Sequence, residues 1–228
     1  MIDLHSHVLY EIDDGAKSLE ESLELLKLAV DMGYTHICCT SHYQKGKYEN
    51  KKYLENFLKL KQEIEKLNIP INLYCGNELF LDIDTLMSLS KKEFFTLNNT
   101  KYILIEFPKG VILNVKLNIL KTLIGWGYKP IVAHVERYEE LLQNFKELKE
   151  LNIKIQFNLS SLEYLKENYS DLISEMDIVA TDVHNLKGRS YNLKDKIENL
   201  KDIVGEEKFK DLAINNPKKI LEGVEDEV

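Results

Sequence analysis

Met1-Ile2-Asp3-Leu4-His5-Ser6-His7-Val8, with Asp13-Asp14-Gly15 close behind, is the stretch on which the fold turns. Read as a strand, it puts Ile2, Leu4, Ser6 and Val8 on one face and Asp3, His5 and His7 on the other. His5 and His7 then point the same way, about 6–7 Å apart along the strand, so both rings can reach one cation. Asp14 follows a short turn marked by Gly15 and can return a carboxylate to the same place.

The pattern of an apolar run ending on a metal-ligating residue type repeats along the chain. Residues 35–40 end at Ser41-His42, and residues 71–74 run into Gly76-Asn77-Glu78. Residues 102–105 end at Glu106, 130–133 at His134, and 178–180 at Asp182-Val183-His184, with a further strand at 153–158. Helical spacing fills the intervals. Ser18 and Glu21 form a capping box before Leu19, Leu23, Leu26 and Val30, and Leu54, Phe57, Leu58, Lys61 and Ile64 precede Pro70. The polar stretch to Asn99 has room for a small helix, and a helix is expected over 114–124. One from Tyr138 carries Leu141, Leu142, Phe145 and Leu148, and another follows with Leu193 and Ile197. Asn216-Pro217 reads as an N-cap and first-turn proline opening the last helix.

Seven strand–helix alternations predict an α/β fold with a parallel sheet, and no composition shift divides residues 1–228 into more than one domain. A (β/α)7 barrel fits better than an open sheet, because only a closed ring brings successive strand ends to one point.

The 228 residues are 44% hydrophobic and carry a net charge of -8, which excludes a basic nucleic-acid footprint. No apolar run approaches the roughly 20 residues of a membrane span, and no secretory leader is expected, so no membrane insertion is predicted. Cys38, Cys39 and Cys75 have no zinc-like spacing and suit a reducing cytoplasm. No P-loop or dinucleotide fingerprint occurs. A cysteine phosphatase would need an arginine six residues after its cysteine, and Gln44, Lys45 and Leu81 stand there instead.

Five of the six histidines therefore lie at strand ends; His36 opens a strand and reads as structural. His5, His7, Asp14, His42, Glu78, Glu106, His134, Asp182 and His184 are more ligands than one ion can use. Imidazole and carboxylate without thiolate suit Mn, Fe or Zn. Two or three ions with a bridging carboxylate follow, a device that makes hydroxide from water and clamps phosphoryl oxygens. Arg137 and Arg189 are the only arginines in the chain, each a few residues beyond a metal-bearing strand end. They read as oxyanion-binding groups. Tyr43 and Tyr48 are placed to line the mouth for an aromatic substrate. A small-molecule phosphomonoesterase, such as a histidinol-phosphate phosphatase, would use the same residues. A non-catalytic metal-carrying interaction module would also keep them. An amidohydrolase-type deaminase also opens with H-x-H but wants an eighth strand.

Several motifs together give the chain a resemblance to a known family. They are Ile2-Asp3-Leu4-His5-Ser6-His7, Asp13-Asp14-Gly15, Thr40-Ser41-His42, Gly46-Lys47-Tyr48-Glu49-Asn50, Gly76-Asn77-Glu78 and Leu104-Ile105-Glu106-Phe107. Ala133-His134-Val135-Glu136-Arg137-Tyr138, Asp182-Val183-His184-Asn185, Gly188-Arg189 and Asn216-Pro217 complete the set. The chain resembles the polymerase-and-histidinol-phosphatase (PHP) superfamily, in particular the manganese-dependent bacterial protein-tyrosine phosphatases of capsular and exopolysaccharide synthesis. That resemblance implies a distorted (β/α)7 barrel, a trinuclear Mn2+ cluster on the nine residues above and phosphate contacts from Arg137 and Arg189. It also implies a phosphotyrosine-bearing partner, the tail of a bacterial tyrosine kinase. Leu9-Tyr10-Glu11 and Tyr43-Gln44 depart from the family pattern without changing a ligand.

Overall fold

Nine short strands account for the seven expected positions: β1 (Ile2–Ser6), β2 (His36–Cys39), β3 (His42–Tyr43), β4 (Asn72–Cys75), β5 (Glu78–Phe80), β6 (Tyr102–Glu106), β7 (Lys129–Val132), β8 (Lys154–Asn158) and β9 (Ile178–Ala180). They belong to a computed structural model whose described residues are 1–224. The last four residues of the expected 1–228 domain lie outside the described residues. Helices α1 (Leu19–Asp31), α2 (Tyr53–Lys66), α3 (Ile83–Ser88), α4 (Leu113–Gly125), α5 (Glu139–Gln143), α6 (Phe145–Glu150), α7 (Leu162–Ile173), α8 (Lys194–Lys210) and α9 (Asn216–Glu222) fill the connections.

All strand pairing within the sheets is parallel, in the orders β1-β2-β4 and β3-β5-β6-β7-β8-β9. Two strand positions are broken in the middle: β3 resumes β2 after Thr40-Ser41, and β5 resumes β4 after Gly76-Asn77. Gly76 is required at its break, since a Cβ there would stand 2.8 Å from both Cys38 Sγ and a Leu97 methyl. Such interruptions re-aim side chains, and here they make His42 and Glu78 register partners. The ring closes where Ser6 bridges Val183 in parallel, with His7 N–H donating to Val183 O at 2.8 Å and Asp182 N–H to His5 O at 2.8 Å. The architecture is a distorted (β/α)7 barrel.

Alternation along the strands sorts the core. Ile2, Leu4, Leu104, Ile131 and Ile178 meet inside the ring with Leu221 of α9. Their neighbours Ile103, Ile105, Val132, Ile155 and Phe157 face outward onto α4–α8. Strict alternation fails in β1, whose register against β2 slips between Asp3 and Ser6. Asp3 therefore does not share the site of His5 and His7. Its buried carboxylate accepts from Thr181 Oγ1 at 2.5 Å and Tyr191 OH at 2.9 Å, tying β1 to the segment after β9.

Two helical expectations change. The helix from Tyr138 breaks at Asn144 into α5 and α6. Asn216 does not cap α9, because a π-turn over 211–215 runs into it from α8, and its side chain donates to Asp177 O instead.

Candidate metal centre

The nine candidate ligands converge at the C-terminal rim of the ring, and Glu78 is the hub. Its Oε2 lies 3.1 Å from His5 Nε2, 3.2 Å from His7 Nε2 and 3.1 Å from His42 Nδ1, and its Oε1 lies 2.8 Å from His134 Nε2. Asp182 Oδ1 stands 3.3 Å from His5 Nε2 and 3.5 Å from His7 Nε2. Asp14 Oδ1 is 3.6 Å from both His42 Nε2 and His184 Nε2. Glu106 lies 3.6 Å from His134 and 3.9 Å from His42.

Ligand atoms gather into three groups, each within 4.8 Å: His7, Asp14, His42 and His184; His5, His7, Glu78 and Asp182; and His42, Glu78 and Glu106. Shared membership of His7, His42 and Glu78 links the three. His134 falls outside them but touches Glu78.

Local backbone explains the aim of several ligands. His134 and Asp182, just beyond β7 and β9, take left-handed φ of 34° and 54°, a strained choice that clusters at functional sites. Gly15 lets the Asp13–Gly15 turn press on the end of β1, since a Cβ there would stand 2.2 Å from His7 O.

Three residues that sequence reasoning passed over hold the ligands in place. Asp13 Oδ2 sits 2.6 Å from His7 Nδ1 and accepts His42 N–H at 2.7 Å, while its Oδ1 accepts Gly15 N–H at 2.9 Å. Gln156 Oε1 meets His5 Nδ1 at 3.0 Å and accepts His134 N–H at 2.8 Å. Gln156 Nε2 donates to Asn158 Oδ1, and Asn158 Nδ2 donates to Asp182 Oδ2. A proton on Nδ1 of His5 and His7 leaves each Nε2 lone pair pointing at Glu78, the arrangement metal-binding histidines use. The signal was present: Lys154, Gln156 and Asn158 alternate with apolar Ile155 and Phe157 along the strand, so its polar face runs to the rim.

Electrostatics keep the central carboxylates charged despite burial. Burial opposes the charge on Glu78, yet His5, His42 and His134 hold its carboxyl well below the usual range. Asp182 is likewise held low against burial, by His5 and His7. Burial opposes protonation of His7 too, but Asp13 lifts it well above an ordinary imidazole. Burial and the neighbouring Glu78 push Glu106 up to about 7. The donor set fits metal on an independent count. His184 Nδ1 meets Asp182 O at 2.9 Å, while its buried Nε2 makes no hydrogen bond, and neither does His42 Nδ1 despite its closeness to Glu78. Buried polar atoms are rarely left so.

Both arginines reach the same rim. Arg137 donates to Asp182 Oδ2 at 2.9 Å and Glu106 Oε1 at 3.3 Å, and Arg189 pairs with Asp182 Oδ2. Each leaves 42% of its side chain exposed, so each can turn to a ligand arriving from solvent. The tyrosine expectation divides. Tyr43 is buried in the core beside Phe94 and does not line the mouth, whereas Tyr48 stacks on His42. No helix among the described residues is long and apolar enough to cross a membrane.

Known proteins resemble this chain in sequence and in fold. Tyrosine-protein phosphatase CpsB of Streptococcus pneumoniae is 34% identical over 238 aligned residues, covering 97% of this chain and 98% of its own. Tyrosine-protein phosphatase YwqE of Bacillus subtilis is 32% identical, over 86% and 82%. A crystal structure from the pair YwqE and CpsB, described as unique metal-dependent tyrosine phosphatases, superposes with a TM-score of 0.86 at 31% identity, over 98% of this chain and 95% of that one. The histidinol phosphate phosphatase of Lactococcus lactis shares the fold alone, with a TM-score of 0.58 at 15% identity, over 89% and 94%. The model of the capsular polysaccharide synthesis family CpsB/CapC matches residues 1–222, and this chain belongs to that family.

Proposed function

We propose that the chain is a metal-dependent protein-tyrosine phosphatase that hydrolyses phosphotyrosine on a protein partner. In this reading residues 1–228 form one catalytic domain working in the cytoplasm. Its partner is the tyrosine-bearing tail of a bacterial kinase that regulates capsular or exopolysaccharide synthesis. The observation that carries the reading is the convergence of nine imidazole and carboxylate groups, Glu78 at their centre, with both guanidiniums at the same rim.

His5, His7, Asp14, His42, Glu78, Glu106, His134, Asp182 and His184 would hold two or three Mn2+ ions. When bound, these ions supply a hydroxide nucleophile at neutral pH and neutralise charge on the phosphoryl oxygens. Arg137 and Arg189 bind those oxygens and stabilise the charge that gathers on them as the P–O bond to the ring breaks. The departing group is a phenolate with an ordinary pKa near 10, so it needs less protonation than an alkoxide. Asp13 and Gln156 keep His7 and His5 in the tautomer that leaves Nε2 free.

The test is hydrolysis of a phosphotyrosyl peptide and of histidinol phosphate by protein stripped with chelator, then reloaded with Mn2+. The expected result is no activity when stripped, recovery with Mn2+, and a higher kcat/KM on the peptide. Undiminished activity at zero metal content refutes the metal mechanism. Preference for histidinol phosphate refutes the substrate.

A further inference from the structure

We propose that Tyr48 selects an aryl phosphate over an alkyl one by packing against the substrate's ring, an inference that rests on the phosphatase reading above. Tyr48 is half-buried yet belongs to none of the three apolar clusters formed by the described residues. Its ring instead lies nearly parallel to that of His42, with centroids 5.7 Å apart and planes 16° apart. Lys47 Nζ stands 4.6 Å from its centroid. A tyrosine that fills no core but leans on a metal-centre histidine is placed for what enters the site.

The platform is also held still. Gln44 and Tyr48 exchange both backbone hydrogen bonds at 2.9 Å, closing a tight hairpin that turns at Gly46 with a φ of +80°. Gln44 Nε2 donates to Asp82 Oδ2 at 2.8 Å, and Lys45 N–H donates to Thr85 Oγ1 at 3.0 Å. Lys45 Nζ bridges Glu49 at 3.0 Å and Glu93 at 2.9 Å. A ring fixed before binding costs little entropy to use. Lys47 is exposed at the hairpin tip, and its flexible stem can yield to an incoming ring. A phosphotyrosyl ring whose phosphate reaches the cluster beside His42 has Tyr48 as its aromatic neighbour, whereas a phosphoserine side chain is too short to touch it.

The experiment compares Tyr48→Phe, Tyr48→Leu and Tyr48→Ala with the wild type, all Mn2+-loaded. Substrates are one peptide sequence carrying either phosphotyrosine or phosphoserine, with metal content measured alongside. An aromatic pair plus the area it covers sets the expected loss at roughly 10- to 30-fold in KM. Tyr48→Leu and Tyr48→Ala should show that loss for phosphotyrosine, with kcat and the phosphoserine kcat/KM within about twofold and metal unchanged. Tyr48→Phe should behave as wild type. Phenylphosphonate should inhibit the Ala variant more weakly than the wild type, and methylphosphonate equally. Parallel losses on both peptides, or lost metal, would mean that Tyr48 only props His42, and would overturn the proposal. Unchanged selectivity in an active Ala variant overturns it while leaving the phosphatase reading intact. A wild type inactive on both peptides removes both.

Discussion

Replacing Asp13 by Asn tests how the centre is organised without touching a candidate ligand. In the structure all three contacts of the buried Asp13 carboxylate are acceptances or charge pairs. Oδ2 faces His7 Nδ1 and His42 N–H, and Oδ1 faces Gly15 N–H. An amide has one oxygen, so its NH2 must oppose at least one of those donors. The oxygen that remains also loses the charge that strengthens its bonds, which are worth about 1.5–3 kcal/mol to a charged group against about 0.5–1.5 kcal/mol to a neutral one. Where the NH2 turns to His7, it drives the ring proton to Nε2, the nitrogen that faces Glu78 and Asp182. Losses of such supporting partners typically weaken metal binding about 10- to 100-fold. That is about 1.4–2.7 kcal/mol, in line with the hydrogen-bond estimate. Because His7 belongs to two of the three ligand groups, the loss should appear in the binding of at least two ions. Calorimetric titration of stripped protein with Mn2+, beside activity against Mn2+ concentration, reads it. Asp13→Asn should need about 10- to 100-fold more Mn2+ for half-maximal activity and approach wild-type kcat at saturation. Mn2+ affinity within twofold of wild type would refute the assignment of Asp13 as the group that sets the His7 tautomer.

Three further outcomes follow from the same geometry. Arg137→Ala and Arg189→Ala should keep a full metal complement but lose about 30- to 1000-fold in kcat/KM, the equivalent of about 2–4 kcal/mol, with lysine rescuing only in part. Wild-type kcat/KM in both Ala variants would reduce them to rim charges. His5 and His7 are lifted against burial, His5 by Glu78 and Asp182 and His7 by Asp13. A raised histidine adds stability that is complete below its unfolded value near 6.5 and lost as pH rises through its folded value. The stripped protein should therefore melt at a lower temperature near pH 8.5 than near pH 7. Mn2+, which competes with the same protons, should raise Tm by more at the higher pH. A metal-induced shift that shrinks with pH contradicts this. Cys38 and Cys39 are buried, and burial pushes their thiols well up and that of Cys75 to about 11. Iodoacetamide should thus leave activity intact, as should replacing all three by Ala. Rapid stoichiometric inactivation relieved by phosphate would point to a cysteine nucleophile instead.

From the sequence alone, the ring and its rim were determined. Each apolar run ends where its strand meets solvent, and His42, Glu78, Glu106, His134 and Asp182 mark those ends. A parallel ring sends such ends to one side whatever the details of packing. The tertiary structure decided what spacing cannot carry. A slip of register in β1 turned Asp3 away from His5, and one such irregularity is enough to exchange the faces of a strand. Asp14 was legible as a candidate ligand, but nothing local gave its neighbour Asp13 a role. Only the folded turn aims Asp13 at His7 and Asp14 at His42 and His184. Gln156 meets His5 across 151 residues of chain, a partnership no local pattern encodes. The difference between buried Tyr43 and rim-placed Tyr48 likewise arose where β3 and its hairpin docked against β5 and α3. Ligand types and strand ends are local properties of the chain, whereas the orientation of each ligand depends on contacts between segments that meet only in the folded protein.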